Sequence, residues 1–285
     1  MTAELHLDEL LEFLKEDVPA GDVTSDAVIP DISCNAIIRA EHDGIIAGAA
    51  EAAALFTHFG VSVTAEKNDG DNVKNGDVIL RLTGKAKVIL LVERTALNIM
   101  GRMSGIATAT HALAGVVRSV SPTCRVAGTR KTCPGFRRFD KKAVVIGGGD
   151  PHRMNLSDGV LIKDNHLAVV PLETAIRAAR SHSRYKKIEV EVESSADAIR
   201  AAETGADIIM LDNMTPAQAK ETVSTLEKCG LRDRVTLEIS GGINGTTLRD
   251  YAACGVDVIS MGALTHTVKN FSLSLEILPA QTGRT

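Results

Sequence analysis

Residues 188–213 read IEVEVESSADAIRAAETGADIIMLDN, and the fold turns on this stretch. Ile188–Val192 and Ile208–Leu211 are short apolar runs of the kind that form buried strands, and a helical segment separates them. Strand, helix and strand make one βα unit, which implies parallel pairing with a right-handed crossover. Working outward, further strand candidates lie at Arg125–Ala127, Gly159–Ile162, Val235–Ile239 and Val258–Met261. Thr215-Pro216 reads as an N-cap followed by a proline at the first helical position, and Pro171 as the opening of another helix. About six such units leave a choice between an open doubly wound sheet and a barrel of the TIM type. The strands end in polar or glycine-rich clusters, as they do where a site is assembled from many C-terminal strand ends. The barrel is therefore expected.

Upstream the pattern is different. Leu7, Leu10, Leu11 and Leu14 share one helical face, and Pro19-Ala20-Gly21 stops that helix. Short β-like runs follow at Ala36–Ala40 and Gly44–Ala47, then an alanine-rich helix over Ala49–Phe59 and strands over Val61–Ala65 and Val78–Thr83. Residues 1–105 are expected to form an α+β unit and 106–269 the barrel. The stretch GDNVKNGDVI (70–79) resembles the turns of biotinyl or lipoyl carrier barrels, but no carrier-lysine hairpin follows, so it reads as hairpin turns. A long helical stretch, Val88–Met103 and then Ile106–Val120, leads into the second half. The alternation Phe271, Leu273, Leu275, Ile277 predicts a strand, at about 270–278, that returns to the first unit, and residues 279–285 are expected to fray.

Composition limits the function. With 285 residues, a formal net charge of -4 and a pI near 6.1, the chain lacks the basic surface that nucleic acid or an acidic membrane selects. Any anion site must be a local cluster of cations. Five cysteines without a C-x-x-C pair point to reduced thiols and a cytoplasmic protein, not to a disulfide framework or a zinc site. Neither a signal peptide nor a run long enough to span a membrane is read.

Three segments carry cations. Gly128-Thr129-Arg130-Lys131-Thr132-Cys133-Pro134-Gly135 follows a predicted strand and sets two adjacent cations in a braced loop. Arg offers a planar fork for a carboxylate and Lys a point charge for phosphate. A solvated basic turn running on into Arg137, Arg138, Lys141 and Lys142 is the alternative. Gly147–Gly149 precede Asp150-Pro151-His152-Arg153, and Leu161-Ile162 end in Lys163-Asp164-Asn165-His166. Such strand ends have little reason to exist for packing alone.

The acids lie at equivalent positions. Glu189, Glu191 and Glu193 alternate, so all three should face the barrel interior, where cations or a metal must offset them. Asp212 ends the next strand. These acids suit ribose hydroxyls or Mg²⁺ bridged to phosphate, or else an internal salt-bridge network with Lys163. Ser240-Gly241-Gly242 and Met261-Gly262 end the last two strands and can present backbone N–H groups to a phosphate.

The ordered set T-R-K-T-x-P-G, G-G-G-x-x-H-R, L-I-K-D-N-H, E-V-E, L-D-N and S-G-G-I resembles the quinolinate phosphoribosyltransferase family, also called nicotinate-nucleotide pyrophosphorylase (carboxylating). Gly21-Asp22-Val23-Thr24, Glu93–Asn98 and Ser104–Thr108 extend the likeness over nearly the whole chain. The resemblance implies an N-terminal α/β sandwich followed by an open, incomplete TIM-like α/β barrel, in an obligate homodimer or higher oligomer. It implies transfer of phosphoribose from phosphoribosyl pyrophosphate to quinolinate, with nicotinate mononucleotide, pyrophosphate and CO₂ as products. Arg94 would enter the partner's site and join Arg130, His152 and Arg153 around the quinolinate carboxylates. Lys131 and Lys163 would meet phosphates or the quinolinate edge. Glu191 and Asp212, supported by Asp164, would contact ribose hydroxyls and Mg²⁺, directly or indirectly. Lys131, Lys163, Glu191 and Asp212 are thus the expected catalytic set. Ser240, Gly241, Gly242 and Gly262 would line the 5′-phosphate.

Cys133 stands where many members carry Thr, and Phe136 follows the Pro-Gly turn; both bear on loop packing. A molybdenum-transport-associated paralogue shares T-R-K-T and G-G-G-x-x-H-R but lacks K-D-N-H. Two other classes were weighed: a Schiff-base aldolase using Lys163 with Glu191 as acid–base group, and a sugar-phosphate sensor. The arginines count against the first, and acids facing the cations against the second.

Overall fold

The structure, a computed structural model, describes residues 6–279. The chain divides into two compact units, one holding the residues up to Ala109 and those from Val268, the other Thr110–Thr267. Within the expected frayed tail, Pro279 is described and 280–285 lie outside the described residues.

The first unit opens with α1 (Leu7–Asp17), which buries Leu10 and Leu14, and α2 (Val23–Val28), capped by the Asp22 carboxylate on the N–H groups of Thr24 and Ser25. Its sheet is built from β1 (Ser33–Ala40), β3 (Ser62–Ala65), β5 (Val78–Lys85) and β12 (Leu273–Ile277). The order is β12-β1-β5-β3 and every pairing is antiparallel, so the late alternating segment pairs with β1. Helix α3 (Ala49–His58) packs on α1 and on β3 and β5, and buries Leu55 and Phe56 completely. Gly44–Ile45 (β2) pairs with Asn72–Val73 (β4), a shorter first strand than the run to Ala47 suggests. The carrier-like stretch folds into two i→i+3 turns, Asn68–Asp71 and Lys74–Asp77, each closed by an aspartate on the first residue's N–H.

The long helical stretch is a single helix. Helix α4 runs unbroken from Ala86 to Val120, with Ser104-Gly105 inside it. Ser104 Oγ exchanges hydrogen bonds with the N–H and C=O of Ala47, and Gly105 lets the backbone of Lys269 and Asn270 approach where a Cβ would collide. These small residues mark close packing, not a helix end.

The second unit is a parallel α/β sheet. Its elements are β6 (Arg125–Ala127), α5 (Arg137–Ile146), β7 (Val160–Ile162), α6 (Asp164–Leu167), α7 (Leu172–His182), β8 (Ile188–Val192) and α8 (Ser195–Thr204). They are followed by β9 (Ile208–Asp212), α9 (Pro216–Lys228), β10 (Thr236–Ser240), α10 (Leu248–Ala252), β11 (Val258–Ser260) and α11 (Ala263–His266). All five pairings in the order β6-β11-β10-β9-β8-β7 are parallel. β6 and β7 do not pair, so the sheet is barrel-like but open. On the free edge of β6 lies Asp150, which exchanges backbone bonds with Val126 and Gly128 and receives both arms of Arg125 at 2.7 and 2.8 Å. Thr215 and Gln218 form a capping box on α9 with Pro216 at its start, and Pro171 stands at the N-cap of α7. No helix among the described residues is long and apolar enough to cross a membrane.

A repeated lock fixes the N-terminal ends of the strands. Gly205-Ala206-Asp207 precedes β9 and Gly255-Val256-Asp257 precedes β11. In each, one guanidinium donates both to the glycine carbonyl and to the aspartate: Arg180 at 2.8 and 2.7 Å, Arg232 at 2.9 and 2.8 Å. Each aspartate also accepts the N–H of a residue on the neighbouring strand, Ile188 or Leu237. For Asp207, burial raises the carboxyl's pKa, but the Ile188 N–H, Arg180 and Lys187 outweigh it and the net shift is downward. A depressed pKa contributes stability above the unfolded value, near 3.9, that is lost as pH falls through the folded value. Asp207→Asn should therefore cost about 2 kcal/mol at neutral pH, the scale of hydrogen bonds to a charged group. Urea denaturation should show the gap between variant and parent closing below about pH 4.

Candidate active site

The C-terminal ends of β6–β11 surround a cleft of about 550 Å³. Thr129, Arg130 and Lys131 enter from the loop after β6, His152 and Arg153 from the β6-edge segment, and Leu161, Lys163 and Asp164 from β7 and its end. Glu191 of β8, Met210, Asp212 and Asn213 of β9 and its end, Ser240–Gly242 after β10 and Ser260 of β11 complete the wall. Twelve of the thirteen residues expected at the site are thereby placed in the second unit, and eleven of them line this one cleft. Gly262 does not line it; a Cβ there would sit 3.0 Å from Lys131 Cδ, so this glycine makes room for the lysine. Arg94 is exposed on α4 in the first unit.

Charge is sorted across the cleft. An adjoining space of about 660 Å³ shares Arg130, Arg153 and Lys163 and continues to His166, His182 and Lys186. Another, of about 350 Å³, shares Asp164, Glu191 and Asp212 and adds Glu193, Asp197 and Arg200. Arg130 Nε is buried without a hydrogen-bond partner among the described residues, a donor left over for an anion. Burial and the neighbouring Arg130 both lower the pKa of Arg153.

Lys141, offered by the sequence as part of a basic surface turn, is instead only 1 % exposed on α5 and donates to the Pro151 carbonyl. Burial first, then Arg137, with smaller contributions from Arg130 and Arg153, pushes its pKa down to about 8 against the pull of Asp158. A cluster of cations that depress one another is unfavourable unless an anion joins it.

The three glutamates of the β8 segment separate. Glu191 is paired with Lys163. Its pKa is raised by burial and by Asp212 and Asp164, an effect that Lys163 opposes without cancelling. Glu189 points deeper, toward His152, while Glu193 lies past the strand end and is exposed, so the expectation of three interior carboxylates holds for two. The pairing expected with a cation is thus present, and its partner is Lys163. Sequence reasoning passed over Glu238 and Ser260. Both follow from alternation along their strands, since Glu238 shares a face with Ser240, and Ser260 shares one with Val258, which is in register with Glu238.

Among the described residues two non-glycines have left-handed backbones, His152 (φ 56) and Asn213 (φ 53), and both line the cleft. Strain of this kind concentrates at functional sites. Gly241, at φ 104, lies against Asn213: a Cβ would come within 2.9 Å of the Asn213 Cα. Gly241→Ala should therefore destabilise the fold by about 2–3 kcal/mol, read as a lower urea midpoint. An unchanged midpoint would mean the turn is not held in this form.

Comparison with known proteins agrees with this architecture. Residues 22–104 match the quinolinate phosphoribosyl transferase N-terminal domain and residues 106–276 its C-terminal domain. A probable nicotinate-nucleotide pyrophosphorylase [carboxylating] of Methanothermobacter thermautotrophicus is 46 % identical over 274 residues, covering 95 % of this chain and 98 % of that protein. One from Archaeoglobus fulgidus is 48 % identical over 262 residues, covering 92 % and 100 %. The solved nicotinate-nucleotide pyrophosphorylase from Francisella tularensis superposes with a TM-score of 0.90 at 33 % identity, over 96 % of this chain and 98 % of the other. Matched along both units and in the order of its strand-end motifs, this chain belongs to the quinolinate phosphoribosyltransferase family.

Proposed function

We infer that this chain transfers phosphoribose from phosphoribosyl pyrophosphate to quinolinate, with loss of CO₂, to give nicotinate mononucleotide, a step of NAD biosynthesis. The observation that carries this reading is one cleft in which Arg130, Arg153 and Lys163 face Glu191 and Asp212, with a glycine turn beside them. Arginine forks suit the two carboxylates of the pyridine and hold its ring nitrogen against C1 of the ribose, chiefly a positioning effect. As the nitrogen bonds to C1, pyrophosphate departs with the electron pair of the C–O bond and the sugar turns oxocarbenium-like. Glu191 and Asp212 beside the ring stabilise that charge, and Lys131 and Lys163 meet the phosphates. The quaternised nitrogen then stabilises the electron pair left at C2 when CO₂ leaves, and a proton replaces it. Ser240, Gly241 and Gly242 are the proposed 5′-phosphate contacts, and Gly262 shapes that wall through Lys131.

Mg²⁺ is proposed to act with the second substrate. The crowding of Asp212 and Asp164 on Glu191 favours a cation there. Few carboxylates without a closed cage suit an ion that keeps its waters and binds phosphate oxygens. Glu191 and Asp212 would hold it, and neutralisation of pyrophosphate is the chemistry it supplies. Arg94 is proposed to complete the site of a second copy in a homodimer. Mixing an Arg94→Ala protein with a Glu191→Gln protein should then restore activity that neither has. Cysteines free of disulfides support a cytoplasmic setting.

The test mixes purified protein with Mg²⁺, quinolinate and phosphoribosyl pyrophosphate and measures CO₂ and nicotinate mononucleotide, with nicotinate as the control acceptor. Failure to release CO₂ from quinolinate would sink the reading.

A further inference from the structure

Below the cleft, inside the barrel, three side chains converge. Glu189 of β8 and Glu238 of β10 are 5 % and 3 % exposed. Each brings Oε1 near Nε2 of His152, at 3.5 and 3.4 Å, and neither oxygen has a hydrogen-bond partner among the described residues. Two acids enclosed this way are costly unless something holds them together.

The group they face is itself constrained. His152 has a left-handed backbone, and its Nδ1 accepts the N–H of Arg153 at 2.7 Å. Pro151, just before it, receives the buried Lys141 ammonium. An imidazole that accepts at Nδ1 carries its hydrogen on Nε2, the atom aimed at the two carboxylates. The same hydrogen occupies the lone pair a metal would need, although the His-Glu-Glu grouping resembles a ligand set.

We propose that Glu238, together with Glu189, is a positioning residue for the quinolinate clamp. By attracting the Nε2 hydrogen across 3.5 and 3.4 Å, the pair fixes the His152 ring. Through that ring and the Arg153 N–H, it sets the direction in which the Arg153 guanidinium enters the cleft. Burial alone would lower the pKa of His152, yet the two carboxylates outweigh it and raise it to about 9, while the Nδ1 bond opposes a second proton. Nε2 keeps its hydrogen in both forms, so the attraction to the two glutamates is common to them, but only the neutral ring accepts the Arg153 N–H and completes the lock. The inference rests on the quinolinate reading for its kinetic consequence but not for its geometry.

The test is Glu238→Gln in the full-length protein, with Glu189→Gln as the alternative should the first not fold. The KM for quinolinate should rise about tenfold or more, the scale seen when a supporting partner of a ligand-binding histidine is lost, while kcat and the KM for phosphoribosyl pyrophosphate change less than about threefold. In a His152→Asn background, Glu238→Gln should add nothing, because the effect passes through the ring. In parallel, ¹⁵N spectra of histidine-labelled protein, assigned by the loss of signal in His152→Asn, should show His152 protonated at Nε2 and shifted in Glu238→Gln. An unchanged quinolinate KM in an active parent overturns the inference and leaves the function standing. Should the parent not turn over quinolinate, the proposed function fails, and the spectra decide: a His152 signal indifferent to Glu238→Gln overturns the lock. Stoichiometric metal in the parent that Glu238→Gln removes would also overturn it.

Discussion

Glu191→Gln is expected to lower kcat by about 10³-fold while changing the KM for quinolinate less than about threefold. The side chain is nearly isosteric, so the change removes charge and little else. A carboxylate about 4 Å from a unit positive charge contributes about 4 kcal/mol at an effective dielectric near 20. The sugar acquires such charge only on the way to the transition state, so the loss falls on kcat. The ground state gives the variant no reason to unfold: Glu191 is partly buried, and burial, Asp212 and Asp164 raise its pKa, so its charge is held there at a cost. Its loss relieves that crowding and releases Lys163, so stability to urea should stay level or rise slightly. Single-turnover measurement of pyrophosphate release separates the chemical step from product departure. A kcat within tenfold of the parent would remove Glu191 from the reaction and leave it a partner of Lys163.

Arg130→Ala should raise the KM for quinolinate by about 10²-fold, with the KM for phosphoribosyl pyrophosphate far less affected. Arg130 Nε is already buried without a partner, so its desolvation cost has been met in the folded protein and a carboxylate collects most of the bond. Two charge-assisted hydrogen bonds lost together come to about 3 kcal/mol, and 1.4 kcal/mol is a factor of ten. Arg130→Lys should rescue only part of this, because an ammonium is a point charge and cannot form the planar fork. Isothermal titration with quinolinate and steady-state kinetics should agree on the loss. A parent-like KM for both substrates would end the idea of a cationic clamp.

Much of this architecture was legible in one dimension. Strands β7 and β9 are apolar runs that stop abruptly at Lys163 and Asp212, and such runs hide both faces in a parallel sheet. The long helical stretch runs on through Ser104-Gly105 for a physical reason. Small residues weaken a helix in isolation, but here Ser104 binds Ala47 and Gly105 admits the backbone of Lys269, contacts that no local pattern records. The alternative of a solvated basic turn fails at Lys141 in the same way. Its sequence neighbours are basic, and only the packing of α5 shows that its ammonium is buried against Pro151.

By itself, then, the order of residues determined which side chains stand at strand ends and which face each strand position takes, because period-two alternation and terminal clusters are local properties of the chain. Tertiary structure alone decided how those side chains share partners: that Lys163 meets Glu191, that Glu189 and Glu238 meet at His152, and that Lys141 turns inward. Coulomb and hydrogen-bond energies depend on separations of a few ångströms between residues far apart along the chain, and those separations exist only once the sheet has curved.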